Sequence, residues 1–302
     1  MEKVFNDLTD ADVGKIVWNE PLSKHTTLKI GGPATLFIEP KDLESLQKVV
    51  ALLQLHGISW RAIGRGSNLL VDDEGVEGAI IKIDKGLRKM EIVGDELFVG
   101  AGYPMVPLAT VMSRKGYEGF GFAAGIPGSI GGAVYMNAGA HGSDTSKILR
   151  RAQILFADGS LKWLTTEELA FSYRTSLLQK EKGIVVEAVF ALKKGDADEI
   201  WEEMQTHKDY RHQTQPYDKP CCGSVFRNPL PNHAGQLIEG AGLKGHKLGG
   251  AQVSELHANF IINAGGAKAR DVLDLIDMIK TTIRERHDIE LHTEVERVPN
   301  RS

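Results

Sequence analysis

The chain has 302 residues, 42% of them hydrophobic and 25% charged, with 36 Lys plus Arg against 40 Asp plus Glu for a net charge of −4. Those proportions suit a globular chain of two or three domains and exclude a wholly disordered one. No apolar run reaches the ~18 residues of a membrane span, the start MEKVFNDLTD has no apolar core of a secretory signal, and no dense basic footprint for nucleic acid is present.

Residues 1–24 are short, mixed and partly helical in character. Leu43, Leu46, Val49, Val50 and Leu53 recur at helical spacing, which predicts a helix over 41–56 closed by Gly57. A strand is expected over 58–63, running into a glycine-rich turn, and another over 79–83. Segments 89–93 and 96–100 flank Gly94-Asp95, a two-residue hairpin signature. A helix is expected over 104–115, then a second hairpin from 152–156 and 161–164 around 157–160. A short helix is expected over 166–170 and an apolar strand over 184–192. The charged, glycine-containing 193–196 is the best candidate for a domain boundary. Beyond it, a charged helix is expected over 197–212 and irregular chain over 213–233. A strand over 258–263, a helix over 267–287 and an alternating strand over 289–298 follow, read together as a strand–helix–strand unit. The resulting fold class is α+β.

Glycine is the compositional outlier: 33 residues, about 11% against a usual ~7%. Gly64, Arg65, Gly66, Ser67 and Asn68 follow a strand, so that free backbone N–H groups can form an anion nest. A third glycine at Leu69 and a Gly-Lys-Ser/Thr ending are both missing, so neither the dinucleotide fingerprint nor a P-loop is present, and a tight surface turn reads as well. The stretch 125–139 holds Gly125, Gly128, Gly131, Gly132 and Gly139 among Ile126, Ile130, Val134 and Met136. Glycine among apolar neighbours marks either a ligand lying against backbone or close structural packing. Arg174 has the fork that binds carboxylate or phosphate, although a surface arginine is commoner. Ser224 lacks the G-x-S-x-G elbow, so an acyl-enzyme serine is not expected. The adjacent Cys221 and Cys222 match no zinc spacing, no metal site is expected, and a disulfide scaffold is excluded. Glu294 shares one strand face with Glu290, His292 and Glu296, and nothing local separates it from them.

Taken in order, several segments resemble the UDP-N-acetylenolpyruvoylglucosamine reductase family. They are 64–68, 125–132, Asn137-Ala138-Gly139-Ala140, Ser172-Tyr173-Arg174, 223–229, 234–239 and 291–295. The resemblance runs from about residue 20 to 298. It implies an FAD-binding domain of the vanillyl-alcohol-oxidase/PCMH type in two subdomains, plus a C-terminal α+β substrate-binding domain. On that basis 1–26 is an N-terminal segment and 27–192 the flavin domain, divided into about 27–84 and 85–192. The substrate domain is 193–302, its last strand returning to the active site. The resemblance further implies noncovalent FAD, NADPH as hydride donor, a UDP-sugar substrate and a cytoplasmic step of peptidoglycan precursor synthesis. It carries over Arg174, Ser224 and Glu294 as the catalytic set. Gly64, Arg65, Gly66, Ser67, Asn68, Gly125, Pro127, Ser129, Gly132, Asn137 and Gly139 fall to the cofactor, and Tyr173, Arg174, Arg227 and Asn228 to the substrate. Only 175–183 separates Arg174 from the next strand, so the tyrosine-bearing lid of some members is not expected. Two other readings compete: an oxidase with flavin tethered at His141, and a non-catalytic UDP-sugar sensor.

Overall fold

The computed structural model describes residues 1–299, a mixture of helices and short sheets. In chain order, α1 (Glu2–Asp10) precedes β1 (Gly14–Pro21) and β2 (Pro33–Pro40), and α2 (Leu43–Leu55) leads into β3 (Trp60–Ile63), β4 (Leu69–Val71) and β5 (Val76–Lys82). The hairpin β6 (Met90–Val93) and β7 (Glu96–Gly100) is followed by α3 (Met105–Arg114) and α4 (Ile130–Met136). Next come β8 (Gly139–Ala140), β9 (Ser143–Asp144), β10 (Leu149–Phe156), β11 (Leu161–Thr165), β12 (Gly183–Ala191) and α5 (Ala197–Thr214). The remainder holds α6 (Ala234–Gly240), β13 (Lys247–Leu248), β14 (Ala251–Val253), β15 (Ile261–Asn263), α7 (Ala269–His287) and β16 (Glu296–Val298). No helix among the described residues is long and apolar enough to cross a membrane.

These elements form two compact units. The first comprises Met1–Trp18, Leu36–Arg65 and Gly78–Tyr210. It contains a sheet of order β1-β2-β5-β3 and an antiparallel sheet of order β11-β10-β12-β7-β6. Helix α2 forms because its apolar residues fall on one face: Leu46, Val49, Val50 and Leu53 are fully buried against Leu36 and Ile38 of β2 and Ala79 and Ile81 of β5. Each such side chain contributes about 1.5–3 kcal/mol. The Asp42 carboxylate accepts from the Ser45 amide at 2.7 Å to start the helix, and Gly57 in the left-handed region ends it. Strand alternation on β5 sends Ala79 and Ile81 into that core and leaves Ile80 and Lys82 on the other face of the sheet.

The second unit is assembled from Asn19–Thr35, Gly66–Glu77 and the chain from Arg211 on. Its antiparallel sheet runs β13-β14-β15, and β16 pairs in parallel with β4, Glu296 opposite Leu69. Val272, Leu275, Ile276, Ile279 and Ile283 bury the apolar face of α7. The Asp73 carboxylate caps that helix by accepting from the Ala269 amide (2.8 Å) and the Arg270 amide (3.2 Å), which ties the 66–77 segment into this unit. Arg297 holds the buried Asp72 with two parallel bonds at 2.8 and 3.0 Å.

Three expected elements differ. The helix expected over 166–170 is a single turn: Thr165 and Glu168 exchange reciprocal side-chain bonds as a helix start would, but Ala170 turns left-handed at φ 48° and stops it. The strand expected over 258–263 is regular only in β15, because Asn259 turns its side chain back onto Phe226. The strand expected over 289–298 is regular only in β16. Residues 292–294 bond first to 225–227, and the chain then changes partner to β4. Since β15 and β16 lie in different sheets, the expected strand–helix–strand unit is not one sheet.

Candidate functional site

In the first unit, β3 delivers Gly64 directly beside the loop that precedes α4. A Cβ on Gly64 would come within 2.3 Å of the Ser129 hydroxyl, so the two glycine-rich stretches meet there. Lys82, opposite Ile63 on β5, donates its ammonium to the Gly64 carbonyl at 2.5 Å. Burial lowers the Lys82 pKa below the usual lysine value, the nearby Asp84 and Glu39 partly opposing that. Ser129 is buried, Gly125 is buried and Pro127 half-buried, while Arg65 is exposed. The amides of Ile130 and Gly131 are already bonded to the carbonyls of Tyr103 and Ala101. Gly132 is different. It is exposed, and the nearest atom to a Cβ there is the Ser129 hydroxyl at 3.6 Å, so its open side faces no other protein atom within 4 Å.

Helix α4 ends at Asn137, left-handed and buried, whose amide donates to the Ser172 carbonyl (3.1 Å) and whose oxygen accepts from the Ser146 amide (3.0 Å). Asn137 therefore clamps the turn that carries Tyr173 and Arg174. Ser172 and Thr175 exchange backbone bonds across that turn, and Arg174 sits at φ 55°. The Arg174 guanidinium donates to the Gly139 carbonyl at 2.8 Å and lies 5.1 Å from the exposed Tyr173 ring. Gln179 donates its side-chain amide to the Arg174 carbonyl at 3.0 Å, a further support that the sequence did not signal. His141 stacks on His207 at 3.9 Å.

In the second unit, Gly66 is left-handed and packed so tightly that a Cβ would reach 2.2 Å from the His25 carbonyl oxygen. Ser67 is half-buried. Asn68 donates its side-chain amide to the Glu294 carbonyl at 3.0 Å, and its own carbonyl accepts from the Glu296 amide at 2.9 Å. On the other side, the Glu294 amide donates to the Val225 carbonyl at 2.8 Å, and the Arg227 amide donates to the His292 carbonyl at 2.9 Å. The structure thus brings Asn68, Glu294 and the residue after Ser224 together, with Glu294 where its segment changes partner. Asn259, 3% exposed, fixes the same stretch: its oxygen accepts from the Phe226 amide (3.0 Å) and its nitrogen donates to the Phe226 carbonyl (2.8 Å). Asn228 accepts from the Ala234 amide at 3.1 Å at the start of α6. Burial raises both thiols, Cys222 to about 12 with the Cys221 and Glu294 charges adding to the rise, so neither is a thiolate at neutral pH. Among the described residues no cluster of three His, Cys, Asp or Glu is placed to hold a metal.

Comparison with known proteins identifies the domains and the family. Residues 34–165 match the FAD binding domain family, and residues 215–298 match the C-terminal domain of UDP-N-acetylenolpyruvoylglucosamine reductase. Proteins named UDP-N-acetylenolpyruvoylglucosamine reductase are 60% identical in Bacillus licheniformis and 57% in Bacillus subtilis, each with 98% of both chains covered. The relative of that name in Halalkalibacterium halodurans is 58% identical over 100% of both chains. A crystal structure of UDP-N-acetylenolpyruvylglucosamine reductase from Thermus caldophilus superposes with a TM-score of 0.80 at 35% identity, covering 94% of this chain and 98% of that one. A Phl p 4 variant described as a glucose oxidase shares the fold alone, at a TM-score of 0.50 and 13% identity over 64% of this chain and 44% of that one. The chain therefore joins an FAD-binding domain to a reductase C-terminal domain, and it belongs to the UDP-N-acetylenolpyruvoylglucosamine reductase family.

Proposed function

We propose that this chain is an NADPH- and FAD-dependent reductase that converts UDP-N-acetylglucosamine enolpyruvate to UDP-N-acetylmuramate in peptidoglycan precursor synthesis, with Arg174, Ser224 and Glu294 acting on the substrate. The observation that carries this reading is full-length similarity, 60% identity over 98% of both chains, to a relative of that name. The open side of Gly132, which a Cβ would fill, fits a bulky cofactor lying against backbone. FAD, held noncovalently, supplies the hydride when bound, NADPH being oxidised to NADP⁺ in the cycle.

The substrate is an enol ether conjugated to a carboxylate. Reduction adds a hydride to the terminal vinyl carbon and a proton to the ether-bearing carbon, and in between, negative charge spreads onto the carboxylate. Arg174 answers that charge. Its guanidinium is held by the Gly139 carbonyl, its own carbonyl by Gln179 and its turn by the Asn137 bond to Ser172, so little reorganisation is needed as charge develops. Ser224 gives the proton. A hydroxyl is a weak acid in water, and against a formed enolate it suffices when its position is fixed. Bonding of Val225 and Phe226 to Glu294 and Asn259 supplies that fixity. Glu294 hydrogen-bonds the carboxylate side, either as the acid or through a bridging water. Tyr173, Arg227 and Asn228 are assigned to the sugar nucleotide. The reaction is assigned to the cytoplasm, where NADPH and nucleotide-activated sugars are made.

Single-turnover kinetics of Ser224→Ala test the division of roles. Flavin reduction by NADPH should persist, whereas reoxidation by the enolpyruvyl sugar should slow by about 10²–10⁴. Ser224→Cys should retain appreciable rate, because a thiol is the stronger acid of similar reach. A Cys221/Cys222 double alanine variant is the control. An alanine variant within tenfold of the parent, with an unchanged solvent isotope effect, would remove Ser224 from the reaction.

A further inference from the structure

Lys82 is the one buried cation of the first sheet that the mechanism above leaves without a task, and its surroundings are unusual. It occupies the last position of β5, 8% exposed, on the face of the sheet opposite the α2 core. Its ammonium has three donors. Among the described residues, the hydrogen bond it makes is to one neutral acceptor, the Gly64 carbonyl, and no carboxylate lies within ion-pair distance of it. A buried ammonium served by a single carbonyl is poorly compensated, and a sequence keeps such a group only where something else completes its shell. The position indicates what that is. Gly64 is the point at which the two glycine-rich stretches meet, the space a Cβ would need being taken by the Ser129 hydroxyl at 2.3 Å, so the Lys82 ammonium lies at the junction of both stretches.

We propose that Lys82 is an anion-binding residue of the cofactor site, its ammonium taking an oxygen of the FAD diphosphate beside Gly64 and Ser129. This rests on the flavin reading above and extends it to a residue outside both glycine motifs. An anionic ligand there supplies the acceptors that the sheet face lacks, and a charge-assisted bond in a water-poor site is worth about tenfold to a hundredfold in affinity. Burial lowers the Lys82 pKa, and an anion beside the ammonium opposes that shift.

The test uses the full-length chain stripped of flavin, titrated with FAD and with riboflavin, which has no phosphate, and melted with and without FAD. Lys82→Met removes the charge and keeps the length; Lys82→Gln removes the charge and keeps a donor for Gly64. Both variants should bind FAD about tenfold to a hundredfold more weakly while riboflavin binding changes by less than about twofold. Lys82→Met should melt higher than the parent without FAD, since a poorly paired buried ammonium is gone, and lower than the parent with FAD. FAD affinity within twofold of the parent in a folded Lys82→Met chain would overturn the proposal. So would full recovery in Lys82→Gln, which would make the Gly64 bond alone responsible, and so would equal losses for FAD and riboflavin. If the unaltered chain takes up no FAD, the flavin reading fails first and the proposal falls with it.

Discussion

A left-handed arginine costs about 1–2 kcal/mol relative to the ordinary helical or extended backbone, and Arg174 is held there at φ 55° by bonds from both sides of its turn. Such strain is kept where a side chain must point one way, and the Gly139 carbonyl fixes that direction. Glycines, by contrast, are not equivalent. At Gly66 any Cβ strikes the His25 carbonyl, so substitution there disrupts the chain's own packing whatever ligand is bound. At Gly132 the protein tolerates a methyl group, and in α4 an alanine should stabilise the flavin-free chain by up to about 1 kcal/mol. Gly132→Ala should therefore melt higher without flavin yet purify with less bound FAD, as read by absorbance per chain; a variant with full flavin content would show that no ligand approaches Gly132 closely. Residue by residue, the sequence signalled the glycines through their density. Arg174, Ser224 and Glu294 stood out only through the family resemblance, since Glu294 alternates with the acids Glu290 and Glu296. Lys82 carries only a weak local signal, a lone charge inside the apolar run 79–83.

At the scale of elements, the terminal segment changes partners at Glu294, from 225–227 to β4, and this places the glutamate's backbone against Val225, the residue after Ser224. Asn259 makes that arrangement rigid. Its paired bonds to Phe226 imitate one step of a sheet ladder with a side chain, and each buried bond is worth about 0.5–1.5 kcal/mol, with a further cost of about 1–3 kcal/mol for each partner left unsatisfied. Asn259→Leu should lower the melting temperature and slow flavin reoxidation by the enolpyruvyl sugar while leaving reduction by NADPH near the parental rate. Asn259→Asp, which keeps the acceptor for the Phe226 amide, should fall between. Equal slowing of both half-reactions would assign Asn259 to general stability instead. Helices α2, α3 and α7 and the hairpins at Gly94 and Gly159 were legible because periodicity and turn chemistry are local properties. The partner change at Glu294 and the inward turn of Asn259 were not, because both are set by residues distant in sequence.

At the scale of the whole molecule, the chain builds its second unit partly from 19–35 and 66–77, segments that carry no linker composition; Thr27 on the Cys221 carbonyl and Asn263 on the Leu28 carbonyl bind the first, and Asp73 on α7 and Arg297 on Asp72 bind the second. Composition alone pointed to two or three domains but could not reveal this interleaving, since the capping of a helix by a carboxylate almost two hundred residues away leaves no local trace. The resemblance to the family is legible instead in the order of its motifs, which spans nearly the entire chain. The central claim, that this protein passes hydride from NADPH through a bound flavin to an enolpyruvyl sugar nucleotide, is tested most directly by anaerobic stopped-flow absorbance of the purified full-length protein. NADPH should bleach the flavin band, and addition of UDP-N-acetylglucosamine enolpyruvate without oxygen should restore it with one equivalent of UDP-N-acetylmuramate formed. A flavin that bleaches but recovers only when oxygen is admitted would contradict the account and identify an oxidase on the same fold.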